Sequence, residues 1–254
     1  MITRRQLQLI NRRTLTYPLD IAEKDYYLAT AIKLISESTL GSRLVFKGGT
    51  ALHHCYLPQY RFSEDLDFTS LVPEMASEAV VTMLESTDEF SVRKQFESPA
   101  TIKIQRLWFA GILSQPGAIK VEIDRKQNVV LPPVQRPYRN VWGIEALVST
   151  MHIEEITAEK VRATATRARY RDFYDLFLLQ EHPDVDIARA IRLLQQKEIR
   201  ARVSSEDMMT NWQQAQREAS DDLRTIHTTR TITDEEIGRM LGQLQFDPIM
   251  PETE

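Results

Sequence analysis

The order of apolar and polar positions divides the chain into two kinds of region. Residues 21–38 place Ile21, Tyr26, Leu28, Ala29, Ile32 and Ile35 at helical spacing, which predicts an amphipathic helix. Residues 43–47 predict a short strand, and Gly48-Gly49-Thr50 turns it into a helix running through Tyr56. A second strand is expected over 63–69, a helix over 73–84 and three strands within 90–124. In the last of these, 118–124, Ile119, Val121 and Ile123 alternate with Lys120, Glu122 and Asp124. A further short strand is expected near 146–151. Helical spacing then takes over, at 156–168, 171–180, 187–199, 205–226 and 234–244. Strands followed by helices predict an α+β fold with a strand-bearing domain over 1–155 and a helical lobe over 156–254. The closing residues 247–254, with Pro248 and Pro251, are expected to fray.

Composition sharpens this picture in three places. The hydrophobic share of 42% is spread along 254 residues, enough for one large core or two smaller ones and too much for disorder. The single cysteine, Cys55, excludes an internal disulfide and a cysteine-rich zinc site. No segment approaches the roughly 20 apolar residues of a membrane span, and residues 1–13 pair arginines without the apolar run of a secretory leader. A soluble cytoplasmic protein is expected. The net charge of −4 argues against a general nucleic-acid coat protein. Basic residues nonetheless collect between 155 and 202, among them Lys160, Arg162, Arg167, Arg169, Arg171 and Lys197. That predicts positive potential suited to a polyphosphate, an RNA or an acidic partner.

Two constellations carry candidate chemistry. The chain has eight glycines, and two are adjacent at Gly48-Gly49 between a strand and a helix. Glycines there let the backbone approach a ligand and aim N–H groups at phosphate oxygens, and Thr50 offers a hydroxyl. A tight turn explains the pair equally well when it is taken alone. On the following strand Ser63, Asp65 and Asp67 share one face while Leu66 and Phe68 point to the core. Two neighbouring carboxylates repel unless a cation lies between them, and magnesium takes one or two carboxylates plus phosphate oxygens. The same residues on a solvated strand face need no ligand, but the glycine turn one element earlier favours the metal reading. Glu122 and Asp124, on one face of their strand, are the candidates for a third carboxylate.

The second constellation lies in the helical half. Lys160, Thr164, Arg167 and Arg171 fall on one stripe of a helix extended past Ala168, a stripe suited to clamping triphosphate oxygens or a nucleic-acid backbone. Asp172 and Asp175, three apart, are placed to pair with these cations, to act as a base or to position Lys160. Other polar candidates fall away. His53 and His54 diverge by about 100° on a helix and form no two-ligand metal face. His152, His182 and His227 lack ligand spacing, and Trp108, Trp142 and Trp212 are expected as core anchors.

Lys47-Gly48-Gly49-Thr50-Ala51 followed by Arg61-Phe62-Ser63-Glu64-Asp65-Leu66-Asp67-Phe68 resembles the signature of the AbiEii/MenT-like nucleotidyltransferase toxins, the toxin halves of type IV, abortive-infection toxin–antitoxin systems. The resemblance continues at Val121-Glu122-Ile123, at residues 158–163 and at residues 171–176, in the same order, and stops near residue 185. It implies a DNA polymerase β-like core, a mixed sheet with helices, and a C-terminal helical lobe completing the active site. It implies transfer of a nucleoside monophosphate from an NTP with Mg²⁺ or Mn²⁺, an RNA acceptor such as the 3′ end of tRNA, and an antitoxin encoded nearby, in a setting of phage defence. Carried onto this chain, Gly48 and Gly49 would hold phosphate, with Ser63 beside the metal. Asp65 and Asp67 would bind the metal, with Glu122 as third carboxylate, Lys160 would contact the triphosphate, and Asp175 would be the catalytic acid. Gly-Thr stands here where the wider nucleotidyltransferase pattern has Gly-Ser. Transfer to a protein hydroxyl or a small molecule, and a non-catalytic nucleotide-binding regulator, are the competing readings.

Overall fold

A computed structural model describes residues 1–72 and 74–251, without the side chains of 219–225. Pro73, the expected start of one helix, and residues 252–254 of the expected frayed end lie outside the described residues. Among the described residues no helix is long and apolar enough to cross a membrane. The chain divides into two compact units.

The first unit takes in 1–58, 63–127 and 133–151 and contains a seven-stranded mixed sheet. Its helices are α1 (Arg4–Arg13), α2 (Leu19–Glu37), α3 (Gly48–Ala51, continued as a π turn over Leu52–Tyr56) and α4 (Ser77–Leu84). Its strands are β1 (Leu44–Lys47), β2 (Asp65–Ser70), β3 (Ser91–Ser98), β4 (Thr101–Phe109), β5 (Gly117–Asp124), β6 (Val134–Pro137) and β7 (Leu147–Thr150). They lie in the order β3-β4-β5-β2-β1-β7-β6. Strand β2 runs antiparallel to β1 and parallel to β5, so the carboxylate strand is central in the sheet. One sheet face buries Leu66, Phe68, Ile102, Ile104, Val121 and Ile123, with α2 packed against β5, β7 and α4. The other face carries Asp65, Asp67, Lys120 and Glu122, all partly exposed.

Two elements of this unit carry little sequence signal. Helix α1 buries only Leu7 and Asn11, too narrow a stripe for periodicity to reveal. Its ends are well specified: a Thr3/Gln6 capping box starts it, and Arg12 and Arg13 in the last turn complement the helix dipole. Strand β6 is a four-residue edge strand ending at Pro137, which edge positions tolerate. Trp142 is a core anchor, its indole N–H donating to Asp25 at 2.8 Å. Trp108 departs from that expectation: it is half-buried, with the Arg93 guanidinium 5.0 Å from its ring centre.

The second unit takes in 152–254 together with 59–62 and 128–132, two segments that a cut at residue 155 places in the first half. Its helices are α5 (Ile153–Thr166), α6 (Tyr170–Gln180), α7 (Ile187–Leu194), α8 (Ser205–Ile226) and α9 (Asp234–Gln243). Trp212 packs against Tyr170 and Phe173 in its core. The expected basic stripe is broken, because α5 ends at Thr166 and Arg167 is extended. Part of the basic charge expected there is paired within the unit. Lys160 and Arg167 meet Asp172, Arg189 meets Glu154, Lys197 meets Glu155 and Glu159, and Arg202 meets Asp207. The described part of the C-terminal tail is tied down: Ile249 is buried and pairs with Val203.

Candidate active site

The site of the first unit begins with the turn between β1 and α3. Gly48 has φ +78°, a conformation that L side chains rarely adopt. A Cβ on it would stand 2.6 Å from a carboxylate oxygen of Asp67. Glycine is therefore required twice over, for the backbone angle and for the close approach of the Asp67 carboxylate. Thr50, expected to offer a hydroxyl to phosphate, is fully buried and donates that hydroxyl to the carbonyl of Asp65. It pins the glycine turn to the carboxylate strand.

Strand register gathers the charges. Lys47 is paired with Asp67 across β1 and β2, Asp67 with Glu122 across β2 and β5, and Asp65 with Lys120. Paired residues present their side chains on the same side of a sheet. Asp124, one step further along β5, is paired with Thr69 instead and accepts the backbone N–H groups of Lys126 and Gln127. Glu122 is thus the acid beside the aspartate pair, while Asp124 caps a turn. Ser63 precedes β2, which starts at Asp65, so it is not part of the strand face on which it was expected.

These charges are only partly balanced. Burial, followed by the Asp65 charge, pushes the Asp67 carboxyl up to about 6; Glu122 adds to the rise, and Lys120 and Lys47 oppose it. Lys120 stands 3.2 Å from Glu122 and 3.8 Å from Asp65, and Lys103 stands 3.0 Å from Glu122. Burial alone would lower Lys120, but Asp65 and Glu122 raise it. Among the described residues no group of three or more His, Cys, Asp or Glu has the spacing to hold a metal ion. Glu122, expected as the third carboxylate, is engaged by Lys103 and Lys120. The aspartate pair still fits a hard divalent cation that draws its remaining oxygens from substrate phosphate. The raised Asp67 carboxyl reflects its burial first and the neighbouring Asp65 charge second, which Lys120 and Lys47 do not offset.

The second unit holds a different cluster. Arg61 donates from Nε and Nη2 to the two carboxylate oxygens of Asp175, at 2.7 and 2.6 Å. Lys160 stands 2.7 Å from Asp175 and 2.8 Å from Asp172, whose other oxygen accepts from Arg167. All but Arg167 are buried. Burial alone would raise Asp172, but Lys160 and Arg167 hold it down at about 2. The structure thus brings together Lys160, Asp172 and Asp175, as their spacing suggested, and adds Arg61. Arg171 is half-buried, in the first turn of α6.

Sequence reasoning passed over Lys47, Lys120, Lys103 and Arg61. Lys120 was the most accessible of them, since it shares a face with Glu122 in an alternating strand. Arg61 gave no local signal, because its partner is 114 residues away. His53 and His54 are both buried. His54 stacks on Tyr138 and donates from Nδ1–H to the Arg139 carbonyl, and burial lowers its proton affinity. It is a packing residue.

Comparison with known proteins gives the family and the fold. The sequence matches the family described as "Nucleotidyl transferase AbiEii toxin, Type IV TA system" over residues 31–250. Among solved structures, the chain is similar to MenT4, a nucleotidyltransferase toxin from Mycobacterium tuberculosis H37Rv. The TM-score is 0.65 at 20% identity, covering 94% of this chain and 90% of that one. It is also similar to a putative nucleotidyltransferase from H. pylori, with TM-score 0.56 at 18% identity, covering 89% and 95%. At these identities the likeness is one of fold. No curated protein sequence matches.

Proposed function

Because the chain belongs to the AbiEii family of type IV nucleotidyl transferase toxins, we propose that it transfers a nucleoside monophosphate from an NTP to the 3′ end of an RNA, tRNA above all, and so blocks translation. The observation that carries this reading is the aspartate pair of β2 facing the Gly48 turn, with Asp67 held at a raised proton affinity. A site left short of positive charge suits a substrate that arrives as a metal–triphosphate complex.

In this reading the backbone N–H groups at Gly48 and Gly49 receive triphosphate oxygens. Thr50 acts through Asp65, by fixing the strand against the turn, and Lys47 and Lys120 supply fixed positive charge. The acceptor 3′-hydroxyl oxygen bonds to the α-phosphorus, the bond to the β-phosphate oxygen breaks, pyrophosphate leaves, and the hydroxyl proton goes to solvent. A magnesium or manganese ion held by Asp65 and Asp67 would ease loss of that proton and neutralise charge on the leaving pyrophosphate.

Asp175 enters as a positioning residue. It holds Arg61, which stands four residues ahead of Asp65 in the chain, and it holds Lys160. A triphosphate contact by Lys160 requires its ammonium to leave Asp172 or Asp175. Lys160→Met with weaker NTP binding in a folded protein would support that contact. The family setting adds an antitoxin encoded nearby, action in the cytoplasm and a role in phage defence.

The test is incubation with labelled NTPs, Mg²⁺ and total tRNA. Wild type is expected to label RNA and Asp65→Ala is not; equal labelling by both removes the assignment. The mass of the product separates NMP on RNA from NMP on a protein hydroxyl or a small molecule.

A further inference from the structure

The sheet face that bears the aspartates does not end with them. Register carries one row across five strands: Lys47, Asp67, Glu122, Lys103 and Phe96. From Asp67 to Phe96 is three strand spacings, about 14 Å. Moving outward along that row, the character changes from acidic to basic and aromatic. Phe96 is 51% exposed on edge strand β3, where a polar residue would be the ordinary choice. Lys94 and Arg106 are paired beside it at a bulge between β3 and β4, both exposed. One step further, Arg93 lies over the Trp108 ring, and Trp108 is paired with Ala118, in line with Lys120. Among the described residues no carboxylate pairs with Arg93, Lys94 or Arg106, whereas Lys160, Arg167, Arg189, Lys197 and Arg202 of the second unit are each paired.

We propose that this outer sheet face is the track on which the single-stranded 3′ end of the RNA acceptor lies. Phe96 stacks on a base, and Lys94, Arg106 and Arg93 meet the phosphates on the way to the aspartate pair. The inference rests on the RNA-acceptor reading and specifies the surface that serves it. Three features select this occupant. The cations are clustered within a chain of net charge −4, so the patch is local and not a general property of the surface. An exposed aromatic ring among cations is the arrangement that binds single-stranded nucleic acid without sequence readout. The row is also continuous with the aspartate pair, so a strand lying on it delivers its end there.

The experiment measures anisotropy of a 5′-labelled single-stranded RNA with a free 3′-hydroxyl. The proteins are wild type, Phe96→Ala, Phe96→Tyr, the double variant Lys94→Glu/Arg106→Glu, and Arg12→Glu/Arg13→Glu as a control of equal charge change. Phe96→Ala is expected to weaken binding about 10-fold, with Phe96→Tyr restoring it. The Lys94/Arg106 variant should weaken it by more than about 10-fold and lower the slope of log affinity against log salt by about two. The control should change it less than about 2-fold. The proposal is overturned if wild type binds no RNA, or if the control and the face variants behave alike. It is also overturned if a polyglutamate peptide displaces the RNA as well as unlabelled RNA of equal charge does. It falls too if the basic residues guard an edge strand only, so that their reversal promotes aggregation and leaves RNA affinity unchanged.

Two failures are told apart by the product. RNA that binds through this face but receives no NMP refutes the acceptor and leaves the track. RNA labelled equally, with equal KM, by wild type and all face variants refutes the track and leaves the acceptor.

Discussion

The aspartate pair of β2 and the buried network of Arg61, Lys160, Asp172 and Asp175 contain the same residue types in opposite electrostatic states. In the network every carboxylate oxygen is met by a guanidinium or an ammonium, and Asp172 is held down at about 2 despite burial. On β2 the carboxylates face each other and the Gly48 backbone, and Asp67 is pushed up to about 6. Complete pairing fixes a structure before any ligand arrives. Incomplete pairing costs stability and leaves a position that a divalent cation arriving with the substrate can fill.

The largest expected effect tests the incomplete side. Asp67→Asn keeps the shape and removes the charge, and it should cut NMP transfer by about 10³-fold or more, several kcal/mol of lost transition-state stabilisation. Retained transfer would mean that β2 is a solvated strand face. Next comes the complete side: Arg61→Met takes the two guanidinium hydrogen bonds from the buried Asp175 and should cost about 3–5 kcal/mol in urea unfolding at pH 7. A loss below about 1 kcal/mol would show that the network is not a structural centre.

A third test uses acid. Asp172 has its folded proton affinity depressed from 3.8 to about 2, so its contribution is present above pH 4 and lost as pH falls through that interval. About 2 kcal/mol should disappear there, and Asp172→Asn should flatten that limb of the stability curve. The smallest effect returns to Asp67, where the sign is reversed. Its raised carboxyl destabilises the folded chain as pH rises from 3.8 through about 6. Asp67→Asn should therefore stabilise the metal-free protein at pH 7.5 by about 1 kcal/mol, with no gain at pH 4. Unchanged stability at pH 7.5 would remove the contrast between the two clusters.

The elements that fix the site were legible to different degrees. Periodicity located β2, β5 and α2 because each buries a regular face, and Leu66 and Phe68 point to the core as alternation required. It missed α1 and β6, which bury too little to leave a pattern. It extended the basic stripe past Ala168 because helical spacing does not register a break such as Arg167–Arg169. Trp108 was expected in the core because composition alone does not say that Arg93 covers it.

The sequence by itself determined the family, the α+β class and the two acids of β2, since these rest on local spacing: a glycine pair, an alternating strand and motifs in a set order. Tertiary structure alone decided which acid stands beside them, since β2 and β5 meet across more than 50 residues of chain, and their register places Glu122, not Asp124, next to Asp67. It alone decided that Asp175 is held by Arg61 and that Thr50 spends its hydroxyl on Asp65. The physical reason is the same in each case. Charge and hydrogen-bond partners are set by distance in space, and a one-dimensional pattern records only which groups seek a partner.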